Sequence, residues 1–225
     1  MALHTNNHTS MTKPAAVDVE AILRDRISRR EIPPGAKLRE LPLTQEFGVS
    51  RASIRQAFAA LEQRGLVKRV PNQGVTVMAL TAAELFTIYD VFELLEGLCA
   101  RLAVQNSEPG SWRDLVDLFG ADLEKSIADG DCDRLFDAIM TYRRRTVAAA
   151  DNPTLSAFLD SIYDKTQVII RRTLVLPGRA AQSFKEHREI IAAMQAGDAL
   201  RAEALKRSNM RTAREFLVRY IDFVL

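Results

Sequence analysis

Residues 47–65 read FGVSRASIRQAFAALEQRG. Ile54, Ala57, Phe58 and Leu61 recur at the spacing of one helical face, which is therefore expected to be buried. Ser50 stands where a hydroxyl can accept from the unbonded N–H groups of the first turn, and Gly65 stands where a left-handed residue would stop the helix. The opposite face carries Arg51, Ser53, Arg55 and Gln56. Guanidinium, hydroxyl and amide groups suit phosphates and base edges, and Arg can contact guanine with two hydrogen bonds. Taken alone, that face also fits any solvated helix.

The flanks decide between the two readings. Upstream, Val19, Ile22, Leu23 and Ile27 predict a first helix ended by Pro33-Pro34-Gly35. Leu41, Leu43 and Phe47 predict a short second one, with Pro42 tolerated in its first turn. Gly48 then makes a tight turn into Ser50, which reads as helix-turn-helix. Downstream, residues 66–77 read as strand, turn, strand, a β-wing carrying Lys68, Arg69, Asn72 and Gly74. Three helices plus a basic hairpin make a winged helix-turn-helix, with double-stranded DNA as its expected partner.

Residues 32–77 resemble the DNA-binding domain of GntR-type transcription regulators. The resemblance rests on Pro34-Gly35, Leu38, Gly48-Val49-Ser50-Arg51, Arg55, Leu61-Glu62, Gly65-Leu66 and the wing residue Gly74. The chain departs from that pattern at Ala52, Ser53 and Gln56, which lie on the reading surface and so bear on the operator sequence rather than the fold.

At 225 residues and 47% hydrophobic, the chain is long enough for two cores. Its net charge of +2 is unevenly divided. Residues 1–80 hold 12 Lys and Arg against 7 Asp and Glu, whereas residues 81–225 hold 19 against 22. The attraction for phosphate therefore lies in the N-terminal part. Cys99 and Cys132 fall in helical patterns and suit reduced thiols. No apolar run approaches membrane-spanning length and the N-terminus has no signal-peptide core, so a cytoplasmic location without membrane contact is expected. Residues 1–15, with His4 and His8, are expected to form a disordered tail, followed by a DNA-binding domain over 16–79 and a helical domain over 80–225.

In that last part strand signals vanish. Thr81 with Glu84 predicts a capping box opening a long helix through Leu102. Further helices are expected from Ser111 through Ile127, from Gly130 to Asp151-Asn152-Pro153, from Leu155 to Pro177-Gly178, from a Ser183/Glu186 cap, and from Gly197-Asp198 through Val224. The expected fold class is mainly α: a winged helix-turn-helix followed by an all-α antiparallel bundle of roughly six helices.

Residues 89–104, 130–155 and 183–205 resemble the FadR-type C-terminal domain, a helical effector-binding and dimerising module. Many members hold a divalent metal with an Asp, a His four residues later and two further His. Counted from Asn152 or from Gly130-Asp131, the Asp falls here on Ile139 and its His on Arg143; of the two later His, one matches His187 and the other falls on Asn209, and an Arg common on the first bundle helix falls on Phe92. One imidazole and a permanent cation make a poor ligand set for a divalent ion, so no metal is expected. The resemblance then implies a small carboxylate effector received by Arg143, with His187, Asn209, Phe92 and Ile139 around it. The residues alone leave Arg143 either in that pocket or in a solvated run with Arg144 and Arg145.

The implied function is a ligand-responsive regulator, a repressor released or modulated by a small organic acid, whose homodimer reads a short inverted repeat. A larger acyl ligand, a helical enzyme, and a winged helix that binds protein are the alternatives. No Gly-x-Ser-x-Gly, phosphate-binding Gly-rich loop or His-Glu-x-x-His is present, so no catalytic residue is expected.

Overall fold

The computed structural model describes residues 18–70 and 74–225. The expected tail, its two histidines and Asn72 lie outside the described residues. Helix α1 (Val19–Ser28) is capped by the Asp18 carboxylate, which accepts from the Ala21 N–H. It stops well before the prolines, at Arg29, and Arg30 takes a left-handed conformation (φ 58°). Strand β1 (Lys37–Leu38), helix α2 (Glu40–Phe47) and helix α3 (Arg51–Gln63) follow. Gly48 joins α2 to α3 at φ 64°, a backbone state that only glycine enters without strain.

Strands β2 (Val67–Val70) and β3 (Gly74–Val77) form the wing, and β1 adds to it in an antiparallel sheet ordered β1-β3-β2. The register sets Lys37, Thr76 and Lys68 side by side on one face, and Leu38, Val75 and Arg69 on the other. Val19, Leu23, Ile27, Ile54, Phe58, Leu61, Val67 and Val77 pack into one core.

A second core belongs to the helices that follow. The Thr81/Glu84 capping box is formed and opens α4 (Ala82–Gln105). Helix α10 (Ala199–Arg219) runs along α4, bound by Arg101–Glu203, Arg207–Glu93 and Arg214–Asp90 ion pairs. Gly97 makes that approach possible, since a Cβ there would fall 2.5 Å from Arg207 Cγ. Helices α7 (Cys132–Ala150), α8 (Pro153–Leu174) and α9 (Arg179–Gln195) complete the bundle. No helix among the described residues is long and apolar enough to cross a membrane.

Three helix expectations need correction. The single helix expected from Ser111 is two, α5 (Arg113–Leu118) and α6 (Ala121–Ala128), because Gly120 is extended between them. The expected cap at Ser183 is absent: α9 begins at Arg179 after Gly178, and Ser183 and Glu186 lie inside it. The last helix breaks at Tyr220, leaving a short α11 (Ile221–Val224). With these changes the fold is the winged helix-turn-helix followed by a helical bundle.

Gly97→Val is expected to lower the unfolding free energy by about 1–3 kcal/mol through overpacking against α10. Denaturant unfolding of the full chain measures it, and an unchanged midpoint would contradict the close-approach account.

Candidate functional site

At the N-terminus of α3 the Ser50 hydroxyl accepts from the Ser53 N–H at 3.1 Å, and the two hydroxyl oxygens are 2.9 Å apart. Ile54, Ala57, Phe58 and Leu61 are buried, which leaves Arg51, Ser53, Arg55 and Gln56 in solvent on the opposite face. The positive end of the helix dipole adds to their attraction for anions. Arg55 is not free: its Nε donates to the Glu40 carboxylate at 2.8 Å. That hydrogen bond, with smaller contributions from the charges of Arg51 and Arg69, holds Glu40 below the usual carboxylate range.

The wing residues divide between two sides. Arg69 lies against the last turn of α3, where its backbone N–H donates to the Glu62 carboxylate at 2.9 Å and its Nε stands 3.7 Å from the same group. Lys68 stands on the opposite face, with Thr76 between it and Lys37, and its charge acts on Glu84 at the start of α4. Lys68 and Arg69 therefore lie on opposite faces of the wing, because successive strand residues alternate. Gly74 is exposed at φ 88°.

A cavity of about 40 Å³ lies inside the bundle, bordered by α4, α7, α8, α9 and α10. It brings together Phe92, Ile139, His187 and Asn209. Two buried cations share it: Arg179 donates to Glu186 at 2.9 Å, and Lys206 lies 3.0 Å from Glu96. Asn209 links the pairs, donating to Glu186 at 2.6 Å and accepting from Lys206 at 3.3 Å. His187 Nδ1 is 2.8 Å from the Ser183 carbonyl, so Nδ1 is assigned the proton and Nε2 is left a bare acceptor, buried without a partner. Burial, and then the nearby Lys206 charge, push the His187 pKa well below its ordinary value.

Arg143 does not line this cavity. Its guanidinium lies 3.8 Å from the Tyr163 ring centroid and pairs with Asp160. Tyr163 borders both the cavity and the outer pocket that holds Arg143. A permanent cation with a carboxylate and an aromatic face at the rim has no reason to turn into the bundle. Arg179 and Lys206 enter because carboxylates on neighbouring turns and helices meet them there. Sequence reading missed both. A readable signal existed on α9, where Arg179, Ser183, Glu186 and His187 form a polar stripe at helical spacing.

Residues 15–77 match the family model of bacterial regulatory proteins of the gntR family, and residues 87–212 match the FCD domain. The chain belongs to the GntR family of transcription regulators and carries an FCD domain. This regulator is 29% identical, over 180 residues, to a probable D-xylose utilization operon transcriptional repressor of Paenarthrobacter nicotinovorans, spanning 79% of this chain and 77% of the relative. It is 24% identical over 198 residues to the Escherichia coli (strain K12) repressor GlaR, spanning 84% and 90%. The structure of E. coli McbR has the same fold, with a TM-score of 0.77 at 20% identity, over 93% of this chain and all of McbR.

Two outcomes follow for the cavity of this regulator. Lys206→Met strands a buried carboxylate at Glu96 and is expected to lower stability by about 3–5 kcal/mol. Glu96→Leu added to it should restore most of the loss in urea unfolding. His187 stays neutral when folded and binds a proton near pH 6.5 when unfolded. The folded state is therefore expected to lose stability as pH falls below about 6.5, by up to about 1.4 kcal/mol per pH unit from this residue. His187→Gln should flatten that slope down to about pH 5, and an unaltered pH profile would show that His187 is not held neutral.

Proposed function

We propose that this regulator is a repressor that binds a short inverted repeat as a homodimer and is released or modulated by a small organic acid held in the central cavity. The observation that carries the effector half is the Arg179–Glu186–Asn209–Lys206–Glu96 chain, buried beside the cavity and leaving Arg179 Nε without a partner. An acid in the cavity would give that N–H, and the third hydrogen of Lys206, an anionic acceptor. The volume favours a small ligand over an acyl chain, which would need the helices to part.

The donor set argues against a divalent ion in this cavity. At the positions that would carry the family's ligands stand Ile139, Asn209, His187 and the outlying Arg143, and the Lys206 ammonium sits 3.3 Å from Asn209. A fixed cation at that distance repels a second one, and a single neutral imidazole does not offset it. Among the described residues no three His, Cys, Asp or Glu side chains gather in ligating positions.

The reading of DNA by Arg51, Ser53 and Arg55, with Ser50 at the backbone, is supported by their common exposure around the first turns of α3, and the backbone role of Lys68 and Arg69 by their exposure on the wing strand β2. A second copy has an apolar stripe to cover on α4, where Val91 is 52% and Leu94 53% exposed, with Leu95 and Leu98 half-buried alongside. Helix α8 supports communication between cavity and head. Its Tyr163, Ile170 and Thr173 border the cavity, while Asp164 accepts from Arg64, at the end of α3, at 2.7 Å. A ligand that moves Tyr163 therefore acts on the helix that also holds the recognition helix.

Fluorescence anisotropy with an inverted-repeat duplex, at several salt concentrations and with candidate acids, tests the proposal. Affinity should fall linearly on log–log axes with salt, and Arg51→Ala should weaken binding about tenfold or more. Asp164→Asn should keep DNA binding but lose most of the response to the acid. Equal affinity for repeat and random duplexes under all conditions would refute the reading.

A further inference from the structure

A second cavity, of about 90 Å³, lies where the winged head meets the bundle, on the side of α8 away from the first. The head supplies Ile27, Leu66, Val77 and Met78 to its walls, and α8 supplies Val168 and Ile169. The space is several times what one water needs, and its walls are mainly apolar, with Arg30, Asp164 and Lys165 the charged side chains among them. Two cations stand at its edge. Lys165 crosses Gly65 so closely that a Cβ there would lie 2.7 Å from its Cε. Among the described residues no carboxylate lies within ion-pairing distance of Lys165, and the adjacent Asp164 is taken by Arg64. Arg30 donates through Nη2 to the Leu225 oxygen at 3.0 Å, while its Nε is buried without a partner.

Mainly apolar walls, two cations at the rim and a lining carboxylate, Asp164, already answered by Arg64 complement one class of ligand. We propose that this junction binds a small apolar monocarboxylate, its hydrocarbon body between Leu66, Met78 and Val168 and its carboxylate at Lys165 and Arg30. The site is separate from the central cavity and does not depend on the effector reading given above. Because its walls come from two units, an occupant favours the arrangement in which head and bundle are docked.

Titration calorimetry of the full chain with acetate, butyrate and hexanoate tests this. Affinity is expected to rise about fourfold per methylene until the cavity is full. Hexanamide, which lacks the charge, should bind about tenfold more weakly than hexanoate. Val168→Phe fills the cavity and should abolish hexanoate binding, and Lys165→Gln should weaken it about fivefold. Ala213→Leu fills the central cavity instead and should leave hexanoate affinity unchanged. Binding indifferent to chain length overturns the proposal, as does hexanoate binding that survives Val168→Phe or disappears in Ala213→Leu. If Val168→Phe does not fold, the hexanamide comparison and Lys165→Gln still decide.

Discussion

Two cations and two carboxylates lie inside the helical bundle with little access to water: Lys206 against Glu96 and Arg179 against Glu186. Taking such charges out of solvent costs several kcal/mol each, and attraction within a pair offsets this only when geometry and further hydrogen bonds are good. Asn209 supplies both further bonds, one as donor and one as acceptor. The helices that carry these groups are consequently held in one register: α10 cannot slide along α4 without separating Lys206 from Glu96, nor along α9 without separating Asn209 from Glu186. Apolar packing alone tolerates such slips more readily, since it has no direction.

The same constraint explains the character of the cavity. Hydrophobic side chains from five helices could close over its space, but the polar groups must keep their partners, so the packing stops short around them. What remains is small, bordered on one side by aromatic rings and on another by groups whose hydrogen-bonding capacity is not used up. His187 fits this setting as a neutral acceptor, stacked on Phe119 at 5.5 Å and meeting the Tyr142 ring edge-on at 5.2 Å.

The winged head was legible because its signals are local. The Ile54-Ala57-Phe58-Leu61 spacing, the Ser50 cap and the Gly48 turn each act within a few residues. Strand β1 was not legible, since two residues leave no alternation to read. The division of α5 from α6 was hidden because Leu115, Leu118, Phe119 and Leu123 keep helical spacing across Gly120. Ser183 and Glu186 imitated a cap while belonging to the polar stripe of α9. The family register placed Phe92, Ile139, His187 and Asn209 around one cavity, but Arg143 belongs to Asp160 and Tyr163. The cations that do border the cavity depend on partners such as Glu96, 110 positions away in sequence from Lys206, which no local pattern reveals.

The pairing of Arg55 with Glu40 bears on how such a head explores a chromosome. A guanidinium already answered by a carboxylate gains little from an arbitrary phosphate, because exchanging one oxyanion for another changes the electrostatic energy only slightly. It gains more from a guanine edge in the correct place, where two directed bonds form at once. In the proposed complex with DNA, Arg55 would thus discriminate between bases while adding little indiscriminate adhesion, and a head built this way would linger less at the wrong places during its search.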